Sequence, residues 1–587
     1  MSFKKTCFLL IITIVLPFTV HSQKNFNLNF DDFNPSEQKL PTGWFKWGNF
    51  ENISGEKINS ENSVGKVVSD KNGKFGCITY RFPANYAGDT IKLTGKIKYE
   101  NVKEFVGLLM RIDGESKTRA LGFKSMQNLK IRGTSDWKEY SIQLPYPPNA
   151  KYIFIGGILG KKGVAWFDDF KVTIDGVNIQ DLEETERVTL KDYDGGKLAS
   201  AISKSSYQVD ISKIENLGID SLIEKSGDKK IVAIGESTHG TSDFYRLREL
   251  ITKRLITEKG FKLVVLESTY DDIELLNEKL DERSLDTLMR KHLFSIYQTN
   301  EMKSFLNWYK DNRSTYNISF KGCDDSNWVY LEFLKSKTDF KNDKELNNLL
   351  ENLASHISKS STDNLKKEVK IFNTIYNDIL AIENHLKSTG TLTYEIEEVL
   401  FNIKNTFINY LHIKNNEPFQ SRDEIMAERI SFLARNTNEK IIVWAHNAHI
   451  SNQIISNEIG MMGRNLKKEF GENYYSIGLT TLDGTYSYME EKFINEDHIF
   501  TEQLKTERLK PNQSTYWEDI LGQNGNSFFL DTSILYEILN TNDIIGPTKL
   551  IGYGKETEDD GYYIPLVKNF DGLIFLKTTR ATTPIFN

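Results

Sequence analysis

The sequence predicts an α/β domain, with a mainly parallel sheet flanked by helices and a helical insertion, preceded by a smaller all-β domain of the jelly-roll type. Short alternating apolar stretches, broken by Gly, Asn and Pro, occupy residues 24–180, as in antiparallel strands. Beyond residue 200, continuous apolar runs alternate with amphipathic helices, which is typical of strands buried on both faces. The chain of 587 residues is also too long for one compact core.

The composition narrows the class of protein. Hydrophobic residues make up 39% of the chain and charged residues 26%, as in an ordinary globular protein. The net charge of −7 argues against a nucleic-acid partner, because such a surface needs clustered Lys and Arg. Of the three cysteines, Cys77 and Cys323 lie beyond the amino terminus and are expected in different domains, so a disulfide framework is not expected.

The amino terminus has the pattern of a secretory signal peptide. Lys4 and Lys5 precede an apolar run from Phe8 to Val20, and the small Ser22 closes it. The run is short for a transmembrane helix, and no positively charged stop follows it. We therefore expect residues 1–23 to be removed and the mature protein, without a transmembrane segment, to be secreted or periplasmic. The alternative is an uncleaved anchor.

Residues 24–180 are expected to form a β-sandwich of the jelly-roll type. The opening Asn29-Phe30-Asp31 and the closing strand Trp166–Val172 make this region resemble the carbohydrate-binding-like modules that precede many secreted bacterial enzymes. A carbohydrate is accordingly an expected partner of this module. A charged stretch, residues 181–200, is predicted to be the linker to the second domain.

Three aromatic residues near the start of this module are candidates for a platform on which a sugar ring stacks. They are Trp44, Phe45 and Trp47. The alternative is that these side chains pack in the core or contact a second copy of the chain.

The second domain, residues 201–587, is organised around a short apolar run, Ile231–Ile234, which is typical of a buried strand. An amphipathic helix follows and ends at Lys259-Gly260, a typical C-terminal cap. The next predicted strand, Phe261–Leu266, comes after a short connection. Strand, helix and strand in this arrangement form a βαβ unit, so the two strands should run parallel.

Polar side chains follow three of the predicted strands, the third being Ile441–Ala445. These side chains are Glu236, His239, Glu267, His446 and His449, and a fourth strand ends near Asp324. Each alone is more often a helix cap than a catalyst. Ligands bind at the carboxyl edge of open α/β sheets, so neighbouring strands would bring these groups into one cluster suited to acid–base catalysis.

Two arginines are further candidates. Arg248 lies on the helix after His239, where it would bind a substrate carboxylate or hold a nearby glutamate ionised; the alternative is a solvated helix face. Residues 327–440 form the predicted helical insertion, which would make a lid or side wall of the cleft. Arg422 and Asp423 are expected to face that cleft, although a role in the neighbouring helix cap explains them nearly as well.

The residue types favour hydrolysis without a covalent nucleophile. A serine nucleophile elbow, a P-loop and a dinucleotide fingerprint are all missing from the sequence. In the simplest mechanism, a histidine takes a proton from water, which attacks an ester or lactone carbonyl. A carboxylate would orient that histidine, and a second histidine or an arginine would stabilise the oxyanion.

The sequence resembles the erythromycin esterase family from about Lys229 to the carboxyl terminus. The segments that carry the resemblance are Gly235–Gly240, the helix of Arg248, Leu266-Glu267, Gln420–Met426 and Trp444–His449, with weaker matches at Gly460–Gly463, Tyr475–Gly478 and Phe570–Phe575. The resemblance implies that water hydrolyses the lactone ester of a macrolide antibiotic, without a serine acyl-enzyme and without an essential metal or other cofactor.

The resemblance also implies roles for particular residues, with His239 as the general base. The catalytic residues that we expect are His239, Glu236, Glu267 and His446, and the expected substrate-binding residues are Arg248, His449 and Arg422. Two alternatives stay open. One is a metal-dependent hydrolase in which the histidines and a glutamate bind zinc or manganese. The other is a protein without catalytic activity that captures a glycan or an envelope polymer.

Overall fold

The computed structural model describes residues 26–70, 74–115, 120–185, 188–210, 217–325, 330–360, 369–415, 420–456, 460–494, 497–512, 514–541, 543–557 and 561–586. The expected signal peptide, residues 1–23, lies outside this described part of the chain. Among the described residues, no helix combines the length and the hydropathy that a membrane span requires.

The amino-terminal region is all-β, as expected, and consists of two antiparallel sheets packed face to face. Its strands are Trp44–Gly48 (β1), Asn52–Lys57 (β2), Ser63–Ser69 (β3), Phe75–Pro83 (β4), Thr90–Val102 (β5), Phe105–Asp113 (β6), Ala120–Ser125 (β7), Gly133–Pro145 (β8), Tyr152–Gly160 (β9), Gly163–Ile174 (β10) and Val177–Asn178 (β11). One sheet has the order β1-β4-β9-β6-β7, and the other has the order β2-β3-β10-β5-β8, with β11 beside β10. Their facing sides form one apolar core.

Trp44 belongs to this core and is not available as a sugar platform. Its ring stacks on Phe30 with centroids 4.0 Å apart, and its indole N–H donates to the carbonyl of Asn27 at 2.9 Å. Because side chains alternate along a strand, Phe45 and Trp47 lie on the opposite, outer face of the sheet.

The second region contains the remaining strands and helices. Its strands are Val188–Thr189 (β12), Ser206–Gln208 (β13), Ile231–Ile234 (β14), Leu263–Thr269 (β15), Ser319–Asp324 (β16), Ile441–Trp444 (β17), Tyr474–Ile494 (β18), Asp497–Arg508 (β19), Ser527–Asp531 (β20), Ile544–Lys549 (β21), Gly561–Pro565 (β22) and Gly572–Thr579 (β23). Its helices as far as the end of the predicted insertion are Gly195–Lys204 (α1), Leu217–Ser226 (α2), Ser242–Lys259 (α3), Tyr270–Lys279 (α4), Leu285–His292 (α5), Asn300–Tyr316 (α6), Tyr330–Lys337 (α7), Lys344–Ser360 (α8), Val369–Thr389 (α9), Tyr394–Asn415 (α10) and Arg422–Asn436 (α11). The later helices are Asn447–Ile450 (α12), Met461–Phe470 (α13), Trp517–Leu521 (α14), Thr532–Leu539 (α15) and Leu566–Asn569 (α16).

The main sheet is mixed, with most of its described strands in one parallel block. Its order is β13-β20-β23-β18-β14-β17-β15-β16, with β19 paired to β18. The block from β16 to β23 is parallel throughout, whereas β20, β13 and β19 pair antiparallel. An apolar run shows that a strand is buried but not in which direction it runs, so the pattern predicted only the parallel block.

Both faces of the parallel block are covered by helices. In β14, Val232 and Ile234 pack against α3 and α6, while Ile231 and Ala233 pack on the other side against α11 and α13. This explains why the strands are continuous apolar runs. Helices α7 to α10 form a separate apolar cluster with Tyr270 and Leu275 of α4, whereas α11 contributes Met426 and Ile430 to the core of the sheet.

A small sheet of order β12-β21-β22 lies beside the main one. The segment Leu550–Thr557, between β21 and β22, passes over the carboxyl ends of the main strands. The N–H of Ile551 donates to the carbonyl of Ser237 at 2.8 Å, in the turn that follows β14.

Candidate active site

The parallel register brings the polar groups of several strands to one edge of the sheet. Ile234, Trp444 and Leu266 are aligned as direct neighbours on β14, β17 and β15. Since parallel strands end at the same edge, the residues that follow them meet there. The side chains gathered at this edge are Glu236, His239, Arg248, Glu267, Asp324, Arg422, Asp423, His446 and His449. All seven predicted site residues are therefore in one cluster.

His239 and Glu236 form a buried pair in the turn after β14. The ring Nδ1 of His239 lies 2.8 Å from Oε1 of Glu236, and both side chains are almost completely buried. A neutral ring that donates from Nδ1 to the carboxylate carries its lone pair on Nε2. Among the described residues Nε2 has no hydrogen-bond partner, and His239 lines a cavity of about 380 Å³.

The glycines of this turn are needed because other segments of the same chain approach the turn closely. A Cβ at Gly235 would lie 2.0 Å from the side-chain oxygen of Asn447, which bonds to the backbone of Leu479 in β18. A Cβ at Gly240 would lie 1.9 Å from the carbonyl oxygen of Ser487, also in β18. Only glycine leaves room for these contacts.

Arg248 supports the pair from behind and does not bind a substrate. Its Nη1 lies 2.8 Å from Oε2 of Glu236, and its other nitrogens donate to the carbonyls of Gly235 and Ala445 at 3.1 and 2.7 Å. The side chain is fully buried, so none of its surface is open to a ligand. This corrects the expectation of a substrate-binding arginine and leaves the alternative role, that of a partner to a glutamate.

Glu267 is the central residue of a second network of hydrogen bonds and ion pairs. Its Oε2 accepts from the backbone N–H of His446 at 2.8 Å, and its Oε1 lies 3.0 Å from Nη2 of Arg422 and 3.3 Å from Nε2 of His449. Burial alone would raise the pKa of this carboxyl, but His449, Arg422 and His239 hold the pKa well below its usual range. Glu267 is therefore ionised and tied to β17 and α11.

His446 has both ring nitrogens occupied by backbone groups. Its Nδ1 accepts from the N–H of Ala448 at 3.2 Å, which caps α12, and its Nε2 donates to the carbonyl of Ile551 at 3.1 Å. Burial, together with the neighbouring His239 and His449, lowers the pKa of His446 well below its usual value, so the ring is neutral. In this geometry the ring lines the cavity and offers no free nitrogen, which corrects the expectation that His446 is a catalytic residue.

His449 is held as a cation. Its Nδ1 lies 2.6 Å from Oδ1 of Asp423. Burial would lower its pKa, but Asp423 and Glu267 raise the pKa from 6.5 to about 10. The other oxygen of Asp423 accepts from the N–H groups of Gly460 and Met462 at 3.0 and 3.3 Å, which explains the weaker Gly460–Gly463 match as the start of α13.

Arg422 joins the two acidic strand ends. Besides its bond to Glu267, its guanidinium binds both oxygens of Asp324 at the end of β16. Ser421 and Glu424 form the expected capping box, so Arg422 stands at the start of α11 and points along the cleft. With 43% of its side chain exposed, Arg422 is the most accessible charged group of the cluster.

Two tyrosines of the site are absent from the sequence-based prediction. Tyr553 stacks on His239 with ring centroids 4.3 Å apart and planes 10° apart, and its hydroxyl lies 3.4 Å from Oε1 of Glu267. Tyr297 meets His239 edge-on, and its hydroxyl donates to the backbone carbonyl of Glu267 at 3.2 Å. Neither follows a strand of the parallel block, so no local pattern points to them.

A second cavity, of about 900 Å³, adjoins the site. It is lined by Asp324 and Arg422 on one side and by Phe294 and Met489 on the other, and Tyr553 lines both cavities. Within the described residues, no three His, Cys, Asp or Glu side chains are arranged to hold a metal ion.

A buried histidine that is oriented by a carboxylate and faces a cavity is the arrangement of an acid–base catalytic site. The family model described as erythromycin esterase matches residues 256–579, more than half of the chain. The chain therefore belongs to the erythromycin esterase family, and this membership indicates a hydrolase. Glu236, His239 and Arg248 precede the matched residues, so their place in the site rests on the geometry.

Known proteins support the same assignment. Erythromycin esterase type II of Escherichia coli is 25% identical over 298 residues, which cover 44% of this chain and 70% of that protein. A solved structure of a Bacillus cereus protein is 20% identical with a TM-score of 0.55, and the match covers 67% of this chain and 99% of that one. The structure of a succinoglycan biosynthesis protein is 19% identical, also with a TM-score of 0.55, over 66% of this chain and 98% of that one. The two structures show a shared fold.

Proposed function

We propose that this protein is an exported esterase that cleaves a macrolide lactone, or another carboxylic ester, with water activated by His239. The observation that carries the proposal is the orientation of His239. Its Nδ1 is held by the buried Glu236 at 2.8 Å, and its Nε2 is left open toward a cavity.

The reaction follows from this orientation. Nε2 of His239 takes a proton from water as the water oxygen attacks the carbonyl carbon of the ester, forming a tetrahedral intermediate. The C–O bond to the alcohol then breaks, and the alcohol oxygen takes the proton back from Nε2. The products are a carboxylic acid, which ionises, and an alcohol. Glu236 stabilises the charged imidazolium between the two steps, and Arg248 keeps Glu236 in place.

Arg422 is the group best placed to stabilise the negative oxygen of the intermediate. Its guanidinium lines the larger cavity, carries a permanent charge and is partly exposed. His449 lines the smaller cavity as a cation and adds a second positive charge there. Glu267 and Asp324 hold these two cations at the edge of the sheet.

A macrolide is the substrate we propose because of the family and the space available. The Escherichia coli relative is named for erythromycin. Ligand sites of drug-sized molecules commonly enclose a few hundred to about 1,000 Å³. The two adjoining cavities, of about 380 and 900 Å³, fall in that range and meet at Tyr553.

The test is mass spectrometry of a 14-membered macrolide incubated with the mature protein, with and without a chelator. We expect a product heavier by one water, formed equally with chelator. We expect no product from His239→Gln, because the glutamine side chain is similar in size to the imidazole but cannot accept the proton. Loss of activity on chelation would favour the metal-dependent alternative. No turnover of the macrolide or of an activated ester would contradict the proposal and favour a binding protein. Sequencing the amino terminus of periplasmic protein tests export.

A second function, carbohydrate binding by the β-sandwich, is favoured by a cavity of about 430 Å³ on the outer face of its β1-β4-β9-β6-β7 sheet. Trp47 and Phe123 line it, with Arg111 and Gln127 as polar groups, and such mixed lining suits a sugar ring. We expect Trp47→Ala to abolish retention on a bound glycan. Phe45→Ala is the matched control, because Phe45 is exposed on the same strand and does not line the cavity.

A further inference from the structure

We infer that Tyr553 decides which esters this site accepts, because its ring is the wall between the smaller cavity, which holds His239, and the larger one beside it. The inference rests on the proposed esterase function. The smaller cavity holds His239 and His449, and the larger one holds Arg422 and Phe294; Tyr553 lines both.

The ring of Tyr553 covers one face of the general base. It lies parallel to the imidazole of His239, with centroids 4.3 Å apart, and meets Phe294 edge-on at 6.5 Å on its other side. A carbonyl carbon that reaches the water on Nε2 must therefore come in beside the tyrosine ring. The two halves of the ester then extend to either side of it, one in each cavity.

The wall is anchored through both backbone and side chain. The carbonyl of Tyr553 accepts from the N–H of Met489 in β18 at 2.8 Å, and Ile551, two residues earlier, is bonded to Ser237 and to His446. Three residues later, the N–H of Glu556 donates to the hydroxyl of Tyr486 at 2.7 Å.

The hydroxyl of Tyr553 adds a further tie. It donates to Oε1 of Glu267 at 3.4 Å. Burial and the nearby charge of Glu267 hold the pKa of Tyr553 well above its usual value, so the hydroxyl stays protonated and keeps donating. The ring is thus fixed at both ends, and a bulky ester meets a rigid partition rather than a movable side chain.

Removing the ring would join the two cavities. The small acyl group of an acetyl ester fits within one cavity and gains nothing from removal of the ring, whereas a bulky acyl group gains room. Tyr553→Ala should therefore raise the ratio of kcat/KM for a bulky ester to that for a small one. The ratio separates the role of a wall from general damage, because loss of the stacking on His239 lowers both rates alike.

The experiment compares p-nitrophenyl acetate with a p-nitrophenyl ester of a branched, bulky acid, so that the leaving group is constant. We expect Tyr553→Ala to raise the bulky-to-small ratio by about tenfold, the size of effect that a reshaped apolar pocket gives. Tyr553→Phe, which keeps the ring, should leave the ratio within about twofold of the native value. Tyr536→Ala is the matched control, since Tyr536 is exposed on α15, lines neither cavity and should leave the ratio unchanged.

Tyr553→Trp gives an independent readout if the alanine variant fails to fold, because a thicker wall should lower the ratio. An unchanged ratio in the folded alanine and tryptophan variants, with both esters hydrolysed by the native protein, would overturn this inference and leave the esterase function standing. Failure of the native protein to hydrolyse either ester would overturn both.

Discussion

His239 depends on two charged partners placed one behind the other. Glu236 fixes the ring, and Arg248 pairs with Glu236 although neither side chain meets solvent. A buried ion pair is costly to form but far costlier to break, because the remaining charge stays unpaired in a medium of low polarity. The stability of the domain therefore depends on keeping the buried ion pair of Glu236 and Arg248 intact.

Arg248→Met tests this dependence. Leaving Glu236 buried without its partner should lower the free energy of unfolding by about 3–5 kcal/mol. It should also reduce kcat, because Glu236 would no longer be held in position beside His239. Arg246→Met is the control: Arg246 lies on the same helix, is 46% exposed and, among the described residues, forms an ion pair only with Asp243, at 3.7 Å. Urea titration of both variants measures the difference, and equal losses would contradict the role given to Arg248.

His449 should make the stability of the protein depend on alkaline pH. Its pKa is raised from 6.5 to about 10 in the folded state by Asp423 and Glu267. The imidazole of His449 therefore binds a proton more tightly in the folded protein than in the unfolded chain. The stabilising effect of this protonated ring is complete below pH 6.5 and is lost as the pH rises toward 10. Unfolding free energies measured across that window should fall more steeply for the native protein than for His449→Gln. Parallel curves would show that His449 is not held as a cation.

At the scale of secondary structure, the site depends on how closely the catalytic turn packs on β18. The turn between β14 and α3 is tied to β18 by a hydrogen bond from the N–H of Ser487 to the carbonyl of Gly240 at 2.9 Å. The residues of the proposed catalytic group follow β14, β15 and β17, and the segment between β21 and β22 contributes Tyr553. Small shifts in any of these elements would move Nε2 of His239 relative to the cavity.

Gly240→Ala should disturb this packing. The new Cβ would lie 1.9 Å from the carbonyl oxygen of Ser487, so backbone must move. We expect a loss of about 2 kcal/mol or more of unfolding free energy, as for other overpacked sites, and a fall in kcat. Gly552→Ala is the comparison, because nothing lies within 4 Å of the position that its new Cβ would take. Thermal unfolding and ester hydrolysis of both variants check the prediction, and a fully active, equally stable Gly240→Ala would refute it.

At the scale of the whole molecule, the β-sandwich and the α/β region have separate apolar cores. Between them lie polar contacts such as the ion pair of Arg464 with Asp89 at 3.2 Å, and a partly exposed pair of this kind contributes little stability. We propose separate roles for the two regions, in which the β-sandwich binds a glycan and the α/β region carries out hydrolysis.

A chain without residues 1–185 should therefore fold and hydrolyse a soluble ester with kcat/KM within about twofold of the native protein, since β12 and everything after it is kept. Retention on a glycan column should be lost in the same variant. A large fall in kcat/KM on a soluble ester would show that the sandwich contributes to the site and would contradict this division.

Local patterns along the chain were enough to locate most of the side chains that cluster at the edge of the sheet. Apolar runs ending in Glu236, His239, Glu267 and His446 mark the carboxyl ends of buried strands, and the capping box marks the start of α11 beside Arg422. Burial and capping are local properties, so a short stretch of sequence reports them.

Which group pairs with which is visible only in the folded chain. There Arg248 is a buried support, and His446 has no free nitrogen. The fold also sets the mixed direction of the sheet and brings Tyr553 to His239 from a distant loop. Such pairings depend on strand order and on contacts between segments far apart in the chain, and no periodicity within a segment encodes them.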